Sequence, residues 1–182
     1  MGQIPISPYS EMTLNPQFDN LWVIDFSKVN ILSVTGNIPQ TLQLQAKAAS
    51  IPEHVIDSIP DGFINQQTNY AGFESQSGKT WEVTFLDIYD PADIRRIFEQ
   101  WQKLIFDKTT FTQGYKKNYA FDLSVVMLDY NRQPFRKYVL YRAWPSSISA
   151  VSLTYPETGG APTLVKPVIT FTYDYQESLP LE

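Results

Sequence analysis

Few residues in this sequence are of types suited to catalysis or metal binding. The chain has 182 residues with one histidine, His54, so any histidine-based catalytic triad or metal site must use it. His54 follows Glu53 in a proline-flanked connector, where a histidine is usually a surface residue. Asp90 and Asp93 resemble a carboxylate pair, but both lie at the start of a predicted helix, and helix capping explains them.

Glycine and charge patterns also argue against a chemical site. Gly62, Gly72 and Gly78 match neither a phosphate-binding loop nor a dinucleotide-binding fingerprint. The Lys116-Lys117 pair is too short for a nucleic-acid patch, and a net charge of −5 argues against a protein that binds phosphates. The lack of cysteine excludes disulfides and thiolate metal sites. We therefore predict no catalytic, cofactor-binding or metal-binding residues, and we expect that the protein is not an enzyme.

The composition is typical of one globular domain. Hydrophobic residues make up 43% of the chain and charged residues 18%, which favours a packed core over disorder. Aromatic residues make up 14%, which favours strands. No apolar run approaches the roughly 18–20 residues that span a bilayer, and the N-terminus lacks the pattern of a signal peptide. We therefore expect a protein that has no membrane partner and is assembled in a cytosol.

Hydrophobic periodicity predicts strands before and after a single helix. The predicted strands are Asn20–Lys28, Thr41–Lys47, Thr80–Asp87, Tyr119–Tyr130, Phe135–Trp144, Ile148–Tyr155 and Leu164–Tyr175. We expect the first two to form one hairpin. We expect the fourth and fifth to form another, which ends at Pro145.

The helix is predicted from residue 91 to about residue 106, with Asp90 as N-cap and Pro91 at the first helical position. Its apolar stripe consists of Ile94, Ile97, Phe98, Trp101 and Ile105. This order predicts a mainly β fold, in which two packed antiparallel sheets form a sandwich or barrel flanked by the helix. We divide the chain into an N-terminal arm (1–19), one β-sandwich domain (20–176) and a C-terminal tail (177–182).

The segment from Gly62 to Gly78 is predicted to be a long polar loop that carries apolar side chains. Loops beyond about 12–15 residues in compact domains are usually functional or disordered, and a disordered loop rarely holds so many apolar groups. We therefore predict that this loop, together with the proline-rich arm, contacts another subunit. The candidate contact residues are Ile4, Ile6, Tyr9, Phe63, Ile64, Asn65, Tyr70 and Phe73.

Residues in and after this segment resemble a known family. The similar positions include Ile51-Pro52, Ile59-Pro60, Ala71-Gly72, Trp81, Trp101-Gln102, Leu140–Pro145 and the final strand Val168–Tyr175. Taken in order over roughly residues 20–176, they resemble the tail tube proteins of contractile-tailed bacteriophages of the T4 type. The resemblance implies two packed β-sheets flanked by a helix, as in the secretion-system tube protein.

The same resemblance implies an assembly and a set of partners. It implies homohexameric rings that stack into the inner tail tube, surround the tape measure protein and later pass DNA without binding it specifically. The tube lies inside the sheath, between baseplate and tail terminator proteins, in a virion assembled in the host cytoplasm. An acidic chain fits a lumen that repels DNA phosphates. A long arm and long turns leave open a baseplate initiator or adaptor, or a tube subunit of a secretion or contractile injection system. A hydrolase or lectin rests only on the sandwich architecture.

Overall fold

A computed structural model of the chain describes residues 19–31, 38–63, 66–75, 79–88, 93–151, 153 and 163–181. The strands are β1 (Trp22–Asp25), β2 (Ala46–Ala49), β3 (Ile56–Phe63), β4 (Gln66–Glu74), β5 (Thr80–Phe85), β6 (Phe106–Asp107), β7 (Thr112–Gln113), β8 (Phe121–Leu128), β9 (Pro134–Ile148), β10 (Val168–Thr172) and β11 (Tyr175–Pro180). The helices are α1 (Ile38–Gln45), α2 (Ile94–Ile105) and α3 (Lys116–Tyr119). None of these helices is long and apolar enough to cross a membrane.

Strand β9 belongs to two antiparallel sheets. Its first half pairs with β8 on one side and β11 on the other, and β1 extends this first sheet beyond β8. Its second half pairs with β10, and β5 and β2 follow to complete the second sheet. Aromatic side chains from both sheets meet in one core, where the Phe26 ring centre lies 6.1 Å from that of Phe85. The predicted fold of two packed antiparallel sheets flanked by a helix is confirmed.

The shared strand bends at Arg142, whose φ of 53° is in the left-handed region. There the register between β8 and β9 shifts opposite Asp122, whose carboxylate accepts a hydrogen bond of 3.1 Å from the Arg142 backbone N–H. The partner strand breaks at the same level, because β10 ends at Thr172 and β11 begins at Tyr175. Between them, the Asp174 backbone N–H donates to the Tyr141 carbonyl at 3.1 Å. The chain thus turns from one sheet to the other on two adjacent strands at once.

Helix α2 packs its predicted stripe into the core, because Ile94, Phe98 and Trp101 are fully buried. Its start differs from the prediction. Asp93 is the N-cap, accepting from the Arg96 N–H at 2.9 Å, and Asp87 accepts from the Ile94 N–H at 3.1 Å. The predicted cap and first residue, at positions 90 and 91, lie outside the described residues. Two carboxylates therefore meet the positive end of the helix dipole.

The segment predicted as the strand Thr41–Lys47 is mostly helix. Its buried residues follow a helical repeat, because Ile38, Leu42 and Gln45 lie on one side of α1 while Leu44 is exposed. The chain becomes extended only from Ala46, and β2 then pairs with β5. The predicted first hairpin, which paired this segment with the strand before it, is therefore wrong.

The end of the second predicted hairpin and the C-terminus also differ. The hairpin of β8 and β9 is confirmed, but β9 continues through Pro145 to Ile148 because a register shift beside β10 accommodates the proline. The predicted strand Ile148–Tyr155 is wrong for the described residues after Ile148, since none of residues 149–151 and 153 is in a strand. The segment predicted as a C-terminal tail, 177–182, lies largely in β11, which forms an edge of the first sheet.

Replacing Trp101 with alanine tests the packing of α2. Trp101 is fully buried, and its indole N–H donates to the Tyr119 carbonyl at 2.6 Å. We expect Trp101→Ala to lower the free energy of unfolding by about 3–5 kcal/mol through the cavity that it leaves. Urea unfolding at neutral pH measures the change, and Leu44→Ala, at an exposed site, is the control. Equal stability of the Trp101 variant and the wild type would contradict this packing.

A candidate assembly surface

The segment predicted as a connector and a polar loop is a β-hairpin. Strands β3 and β4 pair antiparallel, with Ile59 opposite Tyr70, Pro60 opposite Asn69, and Phe63 opposite Gln66. Of the described strands, β4 is the only one that pairs with β3. The sequence-based expectation of an irregular loop is wrong because proline and glycine suggested breaks where the chain remains extended.

The hairpin is exposed on both of its faces. Residues 56–62 of β3 are all exposed, and so are most residues of β4. The apolar side chains Ile56, Ile59 and Tyr70 each keep about half of their surface accessible, and Phe73 keeps 87%. A two-stranded sheet is marginally stable in water by itself, and exposed apolar clusters usually mark contact surfaces.

The base of the hairpin is anchored firmly to the domain. The Trp81 indole N–H donates to the Ser50 carbonyl at 2.7 Å, and the Gln176 side chain donates to the Glu53 carbonyl. The Ser75 N–H donates to the Val55 carbonyl at 2.9 Å, which joins the two legs of the hairpin at its base. The hairpin therefore leaves the domain from a fixed position although its strands lie in solvent.

Glycine is required at one position in the hairpin. A β-carbon on Gly72 would lie 2.8 Å from the Asp57 carbonyl oxygen, closer than the backbone allows. This close approach occurs beside the shift in register between β3 and β4. His54 lies near the base as a surface residue, as predicted, with its Nδ1 3.8 Å from a Glu74 carboxylate oxygen.

The predicted contact residues fall in three places. Tyr70 and Phe73 lie on β4 and are exposed, and Phe63 is the last residue of β3. Ile64 and Asn65 connect the two strands and lie outside the described residues, as do the three predicted arm residues, at positions 4, 6 and 9. Ile56 and Ile59 were not among the predicted contact residues. Only the pairing of β3 with β4 shows that they lie on the same exposed hairpin as Tyr70.

The first sheet offers two further surfaces for assembly. Within the described residues, β1 and β11 have no strand on their outer sides, so both edges of this sheet are open. The sheet face that points away from the core carries paired charges. Lys137 lies 3.4 Å from Asp25, Lys28 lies 2.9 Å from Asp122, and the Tyr141 hydroxyl donates to Glu177 at 2.9 Å.

The pairing changes the acidity of these groups. Partial burial alone would raise the pKa of the Asp122 carboxyl, but hydrogen bonds from the Lys28 ammonium and the Arg142 N–H outweigh it and hold that pKa below its ordinary value. Asp25 behaves similarly, because hydrogen bonds from Ser27 and the charge of Lys137 outweigh burial and lower its pKa. Across the described residues, no three acidic or histidine side chains come together as a metal site.

Comparison with known proteins decides the family. A family model described as phage tail tube protein matches residues 17–177, which is most of the chain. The chain belongs to the phage tail tube protein family. Tail tube protein gp19 of Enterobacteria phage T4 is 25% identical to this tail tube protein over 158 residues, covering 84% of this chain and 92% of gp19. The resemblance stated from the sequence is confirmed.

Solved structures share the fold. The anti-feeding prophage cap, a tube-terminating cap, aligns with a TM-score of 0.63 at 10% identity over 97% of this chain and 100% of the cap chain. The sheath/tube terminator of the PVC extracellular contractile injection system aligns with a TM-score of 0.63 at 9% identity, over 92% of this chain and 99% of that one. As a phage tail tube protein, the chain is a structural component of the virion and not an enzyme.

The charge at the bend of β9 predicts a dependence of stability on pH. A carboxyl whose pKa is lower in the folded state stabilises the fold above its unfolded pKa of about 3.9, and this stabilisation is lost as the pH falls through the folded pKa. Asp122→Asn keeps an oxygen that accepts from the Arg142 N–H but cannot ionise. We therefore expect the stability of the wild type to fall more steeply than that of the variant between about pH 5 and pH 2. Urea unfolding across this range measures both slopes, and equal slopes would contradict the role of Asp122.

Proposed function

We propose that six copies of this chain form a ring and that rings stack into the inner tube of a contractile tail, through which DNA leaves the virion. The exposed hairpin of β3 and β4 is the observation that carries this proposal. A two-stranded sheet with apolar side chains in water on both faces is stabilised when another copy of the chain covers it. Its fixed base means that little ordering entropy is lost when it binds.

The open edges of the first sheet support closure of the ring. When β11 of one copy pairs with β1 of the next, the backbone groups at both edges of the first sheet are satisfied, and this sheet has no open edge left. Repeated around a ring, this pairing joins the first sheets of all copies into a continuous wall. A heterologous contact of this kind forms a closed ring when the rotation that relates one copy to the next is a whole fraction of 360°.

The face of the first sheet that points away from the core then lines the lumen. Lys28 and Lys137 on this face each lie within ion-pair distance of an aspartate. Because their positive charge is balanced locally, the wall attracts DNA phosphates only weakly, and DNA passes without specific binding. In this arrangement, the carboxylates that line the lumen include Asp25, Asp122 and Glu177.

Family membership supports the remaining partners. The sheath surrounds the tube, the tape measure protein occupies the lumen before DNA does, and baseplate and terminator proteins close the two ends. Assembly takes place in the host cytoplasm. The N-terminal arm and the residues joining β3 to β4 add contacts between copies.

Electron microscopy of the purified chain tests the proposal directly. We expect rings and hollow filaments that lengthen with protein concentration. A single ring that lengthens only on a preassembled platform would indicate a baseplate initiator or adaptor instead. Monomers alone at high concentration, from the full chain with its arm, would contradict the proposed tube.

A charged substitution in the hairpin tests its role in assembly. We expect Tyr70→Asp to abolish rings and filaments because it places a carboxylate in the apolar contact and leaves it without water. Phe73→Ser should act in the same direction. The melting temperature should stay within a few degrees of the wild type, because both side chains are exposed in the single chain.

Leu44→Asp is the matched control, since Leu44 is exposed on α1, outside the hairpin and the sheet edges. We expect it to leave assembly unchanged. Normal filaments from both hairpin variants would show that the hairpin is not a contact between copies.

A further inference from the structure

A second exposed aromatic cluster lies directly after helix α2. We call residues 106–117 the aromatic clip; they include the short pair β6 and β7 and the start of α3. Phe111 keeps 80% of its surface accessible, Tyr115 keeps 77% and Phe106 keeps 44%. The Phe106 and Phe111 rings pack edge to face, with centres 6.4 Å apart. Three aromatic side chains thus meet water on one short segment.

The clip is held in a rigid and partly strained conformation. A β-carbon on Gly114 would lie only 2.0 Å from the Leu104 carbonyl oxygen, and the Gly114 N–H donates to the Ile105 carbonyl at 2.9 Å. The Asp107 carboxylate accepts from the Thr109 N–H at 2.8 Å and closes the turn. Phe111 itself has a φ of 53°, which is unfavourable for a bulky residue. A strained, exposed aromatic residue that the fold holds in place indicates a preorganised contact.

Charge indicates what the clip binds. The clip carries Lys108, Lys116 and Lys117 against one carboxylate, Asp107. By contrast, the segment of residues 51–75, which contains the hairpin, has four acidic residues and no lysine or arginine. Asp57 and Asp61 are exposed on the hairpin. The two surfaces are therefore complementary in charge, and both carry exposed apolar side chains.

Asp174 contacts both the clip and the chain that leads from the hairpin into β5. Lys79, which precedes β5, donates to the Asp174 carbonyl at 2.9 Å. Lys116, in the clip, pairs with the Asp174 carboxylate. The clip and the segment that follows the hairpin are therefore attached to the domain at the same residue.

We propose that the aromatic clip of one copy binds the β3–β4 hairpin of a neighbouring copy. The proposal rests on the ring proposed above and identifies the surface that receives the hairpin. Tyr70 and Phe73 of the hairpin pack against Phe111 and Tyr115, while Asp61 and its neighbours face the lysines of the clip. The contact is heterologous, with a different surface on each partner, as a cyclic ring requires.

Replacing Phe111 with glycine separates assembly from folding. Glycine adopts a positive φ at no steric cost, so Phe111→Gly should keep or raise the melting temperature. It also removes the aromatic contact, so we expect the concentration needed for ring formation to rise about tenfold or more. Arg132→Gly is the matched control, because Arg132 is exposed and has a φ of 60° in a different turn. Sedimentation velocity over a range of concentrations measures both variants against the wild type.

Disulfide trapping tests the pairing independently, because the chain has no cysteine of its own. The double variant Tyr70→Cys/Phe111→Cys is oxidised at a concentration above the raised value that loss of the Phe111 ring requires for assembly, and it should then give a ladder of covalently joined copies. Each single variant should remain monomeric on a non-reducing gel. The double variant Tyr70→Cys/Leu44→Cys is the control and should give no ladder.

The outcomes separate this proposal from the ring proposal. Wild-type protein that forms no rings overturns the ring and the clip contact together. Wild-type rings combined with normal assembly of Phe111→Gly and no disulfide ladder overturn the clip contact alone. Weakened assembly of Phe111→Gly with normal Arg132→Gly, together with the ladder, establishes the contact.

Discussion

The bend of β9 at Arg142 determines the arrangement of most other elements. One strand pairs with β8 and β11 before the bend and with β10 after it, so both sheets share a single backbone. Charges hold the bend in place, because the Asp174 carboxylate pairs with both Lys116 and Arg142. Without the bend the two sheets would be one, and no space would exist between them for the aromatic core.

The core depends on that space being filled by large rings. Trp101 stacks on Phe98 at 5.9 Å, and Phe171 of the second sheet meets both of them at 6.0 Å or less. Helix α2 thus closes the open side of the sandwich with aromatic side chains from two consecutive turns. Because the large apolar side chains are buried in this core, the outer face of the first sheet stays accessible, and so do its edge strands β1 and β11.

The sequence was sufficient where one periodicity was long and unambiguous. Helix α2 has a stripe over three turns, and β8 and the start of β9 alternate on both sides of a polar turn, so these elements were predicted correctly. The short segment after Pro39 was not, because the alternation of Leu42, Leu44 and Ala46 is too short to exclude a helix. Strand β11 was missed since its polar residues carry no alternation, and only pairing with β9 orders it. The hairpin was missed because Pro60, Gly62 and Gly72 suggested breaks, and the pairing of β3 with β4 that keeps the chain extended is not visible in local patterns.

Pro60 lies in the middle of β3, opposite Asn69. A proline is tolerated within a sheet where its nitrogen faces an open edge, because it has no N–H to offer a neighbouring strand. The outer edge of the hairpin therefore lacks one donor, and a second hairpin that approached it edge to edge would leave an acceptor unpaired. When many separate copies of the chain are present, this gap disfavours open-ended β-aggregates. One imino acid thereby protects the separate chains from edge-to-edge association and leaves the exposed side chains of the hairpin unchanged.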